Sequence, residues 1–175
     1  DSHITMENIY GPTEATIYSC GYSTADLTNE TRVPIGRPLS NVTCYVLDKH
    51  LQLQAVGVPG ELCIGGQALA RGYMNNEQQT NDKFIPNPFV EGERIYRTGD
   101  LVRWRADGNI DYLGRIDNQV KIRGYRIELG EIEHQLGLHA DISECAVVVK
   151  ERQGDKYLVG YYVADQEIGL EELSD

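Results

Sequence analysis

Short runs of alternating apolar and polar residues, separated by glycine-containing turns, fill the first two thirds of the chain. Such alternation, enriched in β-branched and aromatic residues, predicts half-buried strands. Strands are predicted at 41–48, 60–65, 100–104 and 109–113. The dipeptide Asp107-Gly108 predicts a tight hairpin turn, because glycine accepts the positive φ that such a turn requires. Residues 33–116 are therefore expected to form a β-rich, barrel-like unit with one polar helix from Asn76 to Phe84.

The pattern changes after Asp117. Residues 120–129 alternate on both sides of Gly124, which predicts two strands or one bulged strand. A short helix from Glu131 to Leu138 follows, with acidic residues in its first turn. Two strands at 145–149 and 157–163 and the opening of a helix at 171–173 complete the pattern. The order ββαββ predicts a second, smaller domain.

The amino-acid composition argues against some classes of partner. Hydrophobic residues make up 41% and charged residues 25% of the 175 residues, which is typical of a globular chain with a core. The formal net charge of −11 argues against nucleic acid as a partner, because a basic excess is needed to displace counterions from phosphates. No apolar run approaches the about 18 residues of a membrane span, and no signal peptide opens the chain, so we expect no membrane partner and a cytoplasmic protein.

The four cysteines and four histidines show neither Cys-x-x-Cys pairs nor zinc-ligand spacing. Reduced thiols in a cytoplasmic protein are therefore expected. The chain starts at Asp1 rather than at a methionine, and we expect it to be a piece of a longer protein.

A first candidate motif is Asn-Ile-Tyr-Gly-Pro-Thr-Glu at residues 8–14. Gly-Pro forces a turn, so Tyr10, Thr13 and Glu14 project from a constrained loop. An aromatic face, a hydroxyl and a carboxylate suit the base, the phosphate and the Mg²⁺ of a nucleotide. By composition alone, a plain surface turn is the simpler interpretation.

A second motif, Tyr-Arg-Thr-Gly-Asp, ends at Asp100. The preceding glycine allows a sharp turn that aims one carboxylate out of the loop. A carboxylate accepts two hydrogen bonds from a vicinal diol such as that of ribose. The alternative is an aspartate that caps its own turn.

A third motif spans residues 114–133 and concentrates positive charge in an otherwise acidic chain. Its four cations are Arg115, Lys121, Arg123 and Arg126. Alternate residues of a strand share a face, so Lys121 and Arg123 are predicted to point together. That face suits an anionic ligand or partner, and a solvated strand face is the alternative.

These three motifs, with Gly-Glu-Leu-Cys-Ile-Gly-Gly at 60–66 and Leu-Ala-Arg-Gly-Tyr at 69–73, closely resemble the adenylate-forming enzyme superfamily. Within it, the chain is most similar to the amino-acid adenylation domains of nonribosomal peptide synthetases, from about residue 8 to its end. The resemblance implies an α/β plus α+β fold. Residues 1–117 would be the C-terminal part of the large core, including a distorted barrel-like subdomain, and 118–175 a small mobile ββαββ subdomain.

The resemblance also implies an activity. Such ligases use Mg-ATP to activate an amino acid as an aminoacyl-adenylate, and then load it onto the phosphopantetheine of a peptidyl carrier domain beside neighbouring synthetase domains. Antibiotic biosynthesis is the usual setting. Two alternatives stay open, namely a non-catalytic nucleotide- or carrier-binding module and the matching part of an acyl-CoA synthetase.

The resemblance further implies a nucleotide site in which each side chain has one role. Tyr10 and Tyr112 would pack on the two faces of adenine, Thr13 would contact the α-phosphate, Glu14 would hold Mg²⁺, Asp100 would bind both ribose hydroxyls, and Arg115 would assist at ribose and phosphates.

Three further roles follow from the resemblance. Asp117 would be the hinge between the two domains, and Gly124 would line the tunnel of the carrier thiol. Ile9, Ile17 and Tyr18 match positions of the substrate pocket and suggest an apolar amino acid.

The sequence also departs from the family. It contains no Ser/Thr/Gly-rich phosphate loop, no segment with the aspartate that binds the amino group, and no late catalytic lysine. Its last lysine, Lys156, precedes the strand at 157–163 and does not match that position. We therefore expect that this chain alone does not catalyse adenylation.

Overall fold

The computed structural model describes residues 6–26, 32–117, 119–123, 125–152, 154–166 and 168–169. The chain divides into two compact units, Asp1–Ile116 and Asp117–Asp175. This division lies one residue before the predicted boundary, which placed Asp117 in the first domain. The two units are described separately below.

A small antiparallel sheet opens the first unit. Its strands pair in the order β1-β2-β3, and two short 3-10 helices, Thr13–Ala15 and Thr24–Asp26, follow β1 and β2. The strands are β1 (Glu7–Tyr10), β2 (Cys20–Ser23) and β3 (Arg37–Pro38).

A five-stranded antiparallel sheet forms the body of the first unit. Its strands are β4 (Val42–Leu47), β5 (Gly60–Gly66), β6 (Phe84–Pro86), β7 (Arg94–Trp104) and β8 (Ile110–Arg115). β5 lies between β4 and β7, and both β6 and β8 pair along the other edge of β7. β7 thus pairs with three of the other four strands of this sheet. The predicted β-rich unit and the β7–β8 hairpin around Asp107-Gly108 are confirmed.

The one described α-helix of the first unit is α1 (Glu77–Lys83), which agrees with the predicted polar helix. The Asn76 side chain caps it by accepting a hydrogen bond from the Gln79 amide at 3.0 Å.

One core cluster joins the two sheets of the first unit. Ala15, Cys20 and Ile35 come from the region of the small sheet, and they pack with buried residues of β4, β5, β7 and β8. Six of the seven residues of β5 are buried, because the strand lies between two neighbours. A second cluster contains Leu47, Cys63 and Ile95. The shared cluster fixes the loop after β1 against the main sheet.

The second unit has the predicted ββαββ order. Its elements are β9 (Val120–Ile122), β10 (Tyr125–Ile127), α2 (Leu129–Leu136), β11 (Ile142–Arg152) and β12 (Asp155–Ala164). β9 pairs with β10, and β11 pairs with β12, both antiparallel. The predicted helix opening at 171–173 lies outside the described residues, as does Gly124.

Two predictions for the second unit need correction. The helix begins at Leu129 and ends at Leu136, two residues before the predicted positions, because Gly130 is accommodated in the first turn and Gly137 ends the helix. The predicted strand face shared by Lys121 and Arg123 is wrong, since β9 ends at Ile122 and Arg123 has a φ of 50° where the chain reverses.

All four cysteines are free thiols. Over the described ranges, neither helix has the length and apolar character needed to cross a bilayer.

Candidate functional site

The loop between β1 and β2 is a compact turn that carries the first motif. The Ser19 amide donates to the Tyr10 carbonyl at 2.8 Å, and the Ile17 amide donates to the Pro12 carbonyl at 3.0 Å. A Cβ at Gly11 would lie 2.2 Å from the Ile17 carbonyl oxygen, so only glycine fits there. This folding buries Glu14 and leaves Thr13 exposed.

Backbone strain is concentrated in the same loop. Thr16 and Ile17 have φ values of 56° and 70°. Both residues are β-branched, and such side chains rarely adopt the left-handed region. Strain of about 1–3 kcal/mol per residue is typical of this conformation, and it is common at functional sites.

The predicted substrate-pocket residues lie on this hairpin. Ile9, Ile17 and Tyr18 are 43%, 57% and 62% exposed. The first unit therefore presents them on its surface and does not enclose them. Their assignment to a substrate pocket stays a prediction.

Asp100 lies in an interruption of the ladder between β5 and β7. Glu61 pairs with Leu101 and Cys63 with Arg97, so one residue of β5 faces the three residues 98–100 of β7. Gly99 has a φ of 71°, which its lack of a side chain permits. We call residues 98–100 the β7 bulge.

Thr98 replaces part of the missing ladder. Its hydroxyl donates to the Leu62 carbonyl at 2.7 Å and accepts from the Asp100 amide at 3.0 Å. These bonds satisfy polar groups that the bulge removes from the sheet.

The Asp100 carboxylate brings three predicted site residues together. Oδ1 accepts a hydrogen bond from Arg115 Nη1 at 3.0 Å, and Oδ2 accepts one from the Tyr10 hydroxyl. Arg115 Nη1 also donates to the Thr98 carbonyl at 2.9 Å. Asp100 is only 8% exposed, and its negative charge is paired with the guanidinium. A carboxylate offers about four acceptor positions, so acceptor capacity remains for a diol.

Burial, together with the negative charge of Asp100, raises the pKa of Tyr10 far above its ordinary value. Tyr10 is therefore a protonated donor to Asp100 at neutral pH. The sequence motif indicated only its aromatic face. The hydroxyl contact joins residues 90 positions apart, and no local signal marks it.

Tyr112 lies on β8 opposite Val102, three residues before Arg115, and is 39% exposed. It is thus on the same strand as Arg115, with its ring accessible. Its packing on adenine stays a prediction.

Glu14 is held by the motif at residues 69–73. Its Oε1 accepts a hydrogen bond from the Tyr73 hydroxyl at 2.7 Å, and its carbonyl accepts one from the Ala70 amide at 2.8 Å. The Tyr73 and Tyr96 hydroxyls are 3.4 Å apart. Burial and the hydrogen bonds to Tyr96 and Glu14 raise the pKa of Tyr73 well above its usual range. Tyr73 therefore stays protonated at neutral pH, and its hydroxyl donates the hydrogen bond that holds the buried Glu14 carboxylate in place.

The donor set suits a metal that arrives with a phosphate ligand. The described part of the chain contains no group of three histidine, cysteine or carboxylate side chains that could cage an ion. Mg²⁺ is usually held by one or two carboxylates together with substrate phosphates. The single carboxylate of Glu14 fits that arrangement.

Sequence reasoning missed one residue beside the site. Glu61 of β5 accepts a hydrogen bond from the Gly99 amide at 3.1 Å on Oε1. Its Oε2 accepts from Arg97 at 3.0 Å (Nε) and 2.7 Å (Nη2). The pKa of Arg97 is raised above its ordinary value, mainly because of these hydrogen bonds to Glu61. Two signals pointed to Glu61, namely its place in the motif at 60–66 and a carboxylate inside an otherwise apolar strand, but neither gave it a role.

Two predicted residues belong to the second unit. Asp117 begins it, and its Oδ1 accepts a hydrogen bond from the Gln119 amide at 3.2 Å. Gly124 is not among the described residues. The hinge and thiol-tunnel roles stay predictions.

Comparison with known proteins agrees with these motifs. Residues 2–74 match the AMP-binding enzyme family. The chain is 57% identical over 169 residues to tyrocidine synthase 3 of Brevibacillus parabrevis, covering 95% of this chain and 3% of that protein. It is 53% identical over 174 residues to gramicidin S synthase 2 of Brevibacillus brevis, covering 99% of this chain and 4% of that protein.

A solved structure gives the same result. It is the structure of an NRPS protein containing adenylation and PCP domains, and it superposes with a TM-score of 0.78 at 34% identity. The match covers 95% of this chain and 34% of the solved chain. The chain therefore spans a small part of the relatives that it matches. Its residues 2–74 match the AMP-binding enzyme family, and over nearly its whole length the chain corresponds to part of a nonribosomal peptide synthetase adenylation domain.

Proposed function

We propose that this chain supplies the nucleotide-binding side of an amino-acid adenylation site. The reaction joins the carboxylate of an amino acid to the α-phosphorus of ATP and releases pyrophosphate. The observation that carries the proposal is the buried Asp100 carboxylate, oriented by Tyr10 and Arg115 and retaining acceptor capacity.

Each residue of the cluster has a chemical role in the proposal. Asp100 accepts hydrogen bonds from the ribose hydroxyls. Arg115 balances the negative charge of Asp100 and orients the Asp100 carboxylate. The Tyr10 ring packs on one face of adenine, and Tyr112 packs on the other. Orientation of this kind lowers the barrier because the reacting groups are held in place before the chemical step.

Thr13 and Glu14 serve the phosphate end. The exposed hydroxyl of Thr13 contacts the α-phosphate, and Glu14 holds Mg²⁺ together with phosphate oxygens. The ion neutralises charge that develops on the phosphate oxygens in the transition state. Tyr73 keeps the Glu14 carboxylate in position by its hydrogen bond.

The remaining assignments concern the amino acid and the carrier. Ile9, Ile17 and Tyr18 favour an apolar amino acid. Asp117 is proposed as the hinge of the small subdomain, and Gly124 as a residue of the tunnel through which a phosphopantetheine thiol reaches the adenylate. The solved relative contains both adenylation and PCP domains, which supports a carrier partner. We also propose that the protein is cytoplasmic, which is consistent with its free cysteine thiols.

The activity is tested by exchange of labelled pyrophosphate into ATP. The matching 169-residue segment of tyrocidine synthase 3 is replaced by this chain, and exchange is measured across the amino acids. We expect exchange with one or a few amino acids. We expect Asp100→Asn to lower it about 100-fold or more, since aligned charged hydrogen bonds at a reacting substrate have effects of this order.

Asp111→Asn is the matched control. Asp111 lies on β8, pairs with the exposed Arg103 at 3.1 Å and is not part of the cluster. We expect its exchange rate to stay unchanged. A folded chimera that binds AMP but exchanges with no amino acid would contradict the proposal and favour the non-catalytic binding module.

A further inference from the structure

The buried carboxylate of Glu61 does not touch the predicted nucleotide contacts, yet it is bonded to the segment that presents one of them. We propose that Glu61 is a positioning residue, which holds the β7 bulge in the conformation that aims Asp100 into the site. The identity of the ligand rests on the proposed function. The geometric part of the inference concerns this chain alone.

The first step is the backbone of Gly99. The β7 bulge removes residues 98–100 from pairing with β5, so the Gly99 amide loses its ladder partner. A buried amide without an acceptor is strongly unfavourable. Glu61 Oε1 accepts this hydrogen bond at 3.1 Å in a buried environment. A side chain therefore replaces the missing strand partner.

The second step is that the Glu61 carboxylate is itself fixed. Arg97 donates two hydrogen bonds to Oε2, at 3.0 and 2.7 Å, and the glutamate is only 9% exposed. Arg97 and Gly99 flank Thr98, so one carboxylate binds β7 on both sides of that residue. This arrangement fixes the direction in which the chain leaves the sheet.

The third step connects the bulge to Asp100. The Gly99 carbonyl accepts from the Ile116 amide at 2.9 Å, and the Asp100 amide donates to the Thr98 hydroxyl at 3.0 Å. With Glu61 in place, both polar groups of the Gly99 backbone have partners. Loss of the Glu61 acceptor frees the Gly99 amide, and the bulge then relaxes so that Asp100 leaves Tyr10 and Arg115.

The test separates the acceptor from the ion pair. Glu61→Gln keeps an oxygen that accepts from Gly99 and loses the charge that faces Arg97. Glu61→Met has a similar length and lacks an oxygen acceptor. AMP affinity is measured by isothermal titration calorimetry on the 175-residue chain. We expect the glutamine variant to bind within about threefold of the parent chain and the methionine variant about tenfold more weakly, in keeping with one lost hydrogen bond.

A purely structural role predicts a different result. Both variants lose the ion pair and would then melt at lower temperature without a difference in affinity. Ile95→Ala, in the separate cluster with Leu47 and Cys63, is the control for lowered stability. We expect it to lower the melting temperature and leave AMP affinity unchanged.

A second readout does not depend on nucleotide binding. The carboxyl ¹³C signal of Asp100 reports its contacts with Tyr10 and Arg115, and we expect it to shift in Glu61→Met and to stay in place in Glu61→Gln. If the parent chain binds no AMP, the proposed function fails, and this signal still decides the positioning role.

A third variant covers the case in which Glu61→Met does not fold. Glu61→Asp keeps the charge for Arg97, but it is one methylene shorter and does not reach Gly99. We expect it to move the Asp100 signal and to weaken AMP binding about tenfold. The inference is overturned if the folded methionine or aspartate variant matches Glu61→Gln in both the Asp100 signal and AMP affinity.

Discussion

β7 in the first unit and β11 in the second have the same length, 11 residues each, and opposite characters. β7 pairs with three strands and is largely buried, and its ladder is interrupted at residues 98–100. Among the described strands, β11 pairs only with β12, in unbroken register from Glu144 to Arg152, and it is mostly exposed. The regular strand carries no cluster of paired buried charges among its described contacts. The interrupted strand carries Asp100 and its ion pair with Arg115, so the paired buried charge lies where side chains have replaced backbone pairing.

The largest expected effect comes from the sheet that supports β7. Ile64→Ala removes a fully buried side chain of β5, and we expect the free energy of unfolding to fall by about 2–5 kcal/mol. Val148→Ala on β11, where the side chain is 37% exposed, is expected to lower it by less than about 1 kcal/mol. Chemical denaturation followed by circular dichroism measures both. Equal losses would contradict the contrast between the strands.

Alkaline pH is expected to destabilise the first unit through Cys63. Burial and the nearby negative charge of Glu61 raise the pKa of Cys63 to about 12, from 9.0. The folded-state pKa is the higher one, so this contribution is fully present below pH 9 and is lost as pH rises towards 12. Cys63→Ala is therefore expected to flatten the fall of stability in this window, by up to about 1.4 kcal/mol per pH unit. Denaturation at several pH values measures the slope, and an unchanged slope would contradict the assignment.

Removal of one donor tests the Glu14 contact. Tyr73→Phe leaves the buried carboxylate without its 2.7 Å hydrogen bond, and we expect a loss of about 1–3 kcal/mol in the free energy of unfolding. Tyr157→Phe on β12, where the ring is exposed, is the control and is expected to change it by less than about 0.5 kcal/mol. Similar values for the two variants would show that Tyr73 does not hold Glu14.

The smallest expected effect is a gain in stability. Ile17→Asn places a residue that tolerates the left-handed region at a φ of 70°, and we expect stabilisation by about 1 kcal/mol. Ile9→Asn, in regular β1, is the control and is expected to give no gain. Thermal unfolding of both variants decides this, and destabilisation by Ile17→Asn would show that the loop is not strained there.

Local chemistry in the sequence predicted most of the elements. Alternation located β4, β5 and β8, the Asp107-Gly108 turn located the β7–β8 hairpin, and Asn76 marked the start of α1. The helix α2 was predicted two residues too late because the acidic residues from Glu131 suit a first turn, whereas the helix already begins at Leu129 and includes Gly130.

The site was only partly predictable. The motifs named Tyr10, Asp100 and Arg115 separately, but the bond between Tyr10 and Asp100 depends on how the small sheet, which contains β1, packs against the sheet that contains β7, 90 positions along the chain. The role of Glu61 depends on the register of β5 against β7, and a shift of one residue would point its side chain to the other face. No local sequence pattern determines this long-range strand register.

The central claim is that the paired carboxylate of the β7 bulge binds the ribose of an adenine nucleotide. The most direct measurement is AMP binding by the 175-residue chain, with Asp100→Asn and Asp111→Asn compared by titration calorimetry. We predict measurable binding that Asp100→Asn weakens at least about tenfold and Asp111→Asn leaves unchanged, since Asp100 is the charged acceptor proposed for the ribose hydroxyls and Asp111 lies outside the cluster. Equal affinity of the parent chain and the folded Asp100→Asn variant would contradict the account.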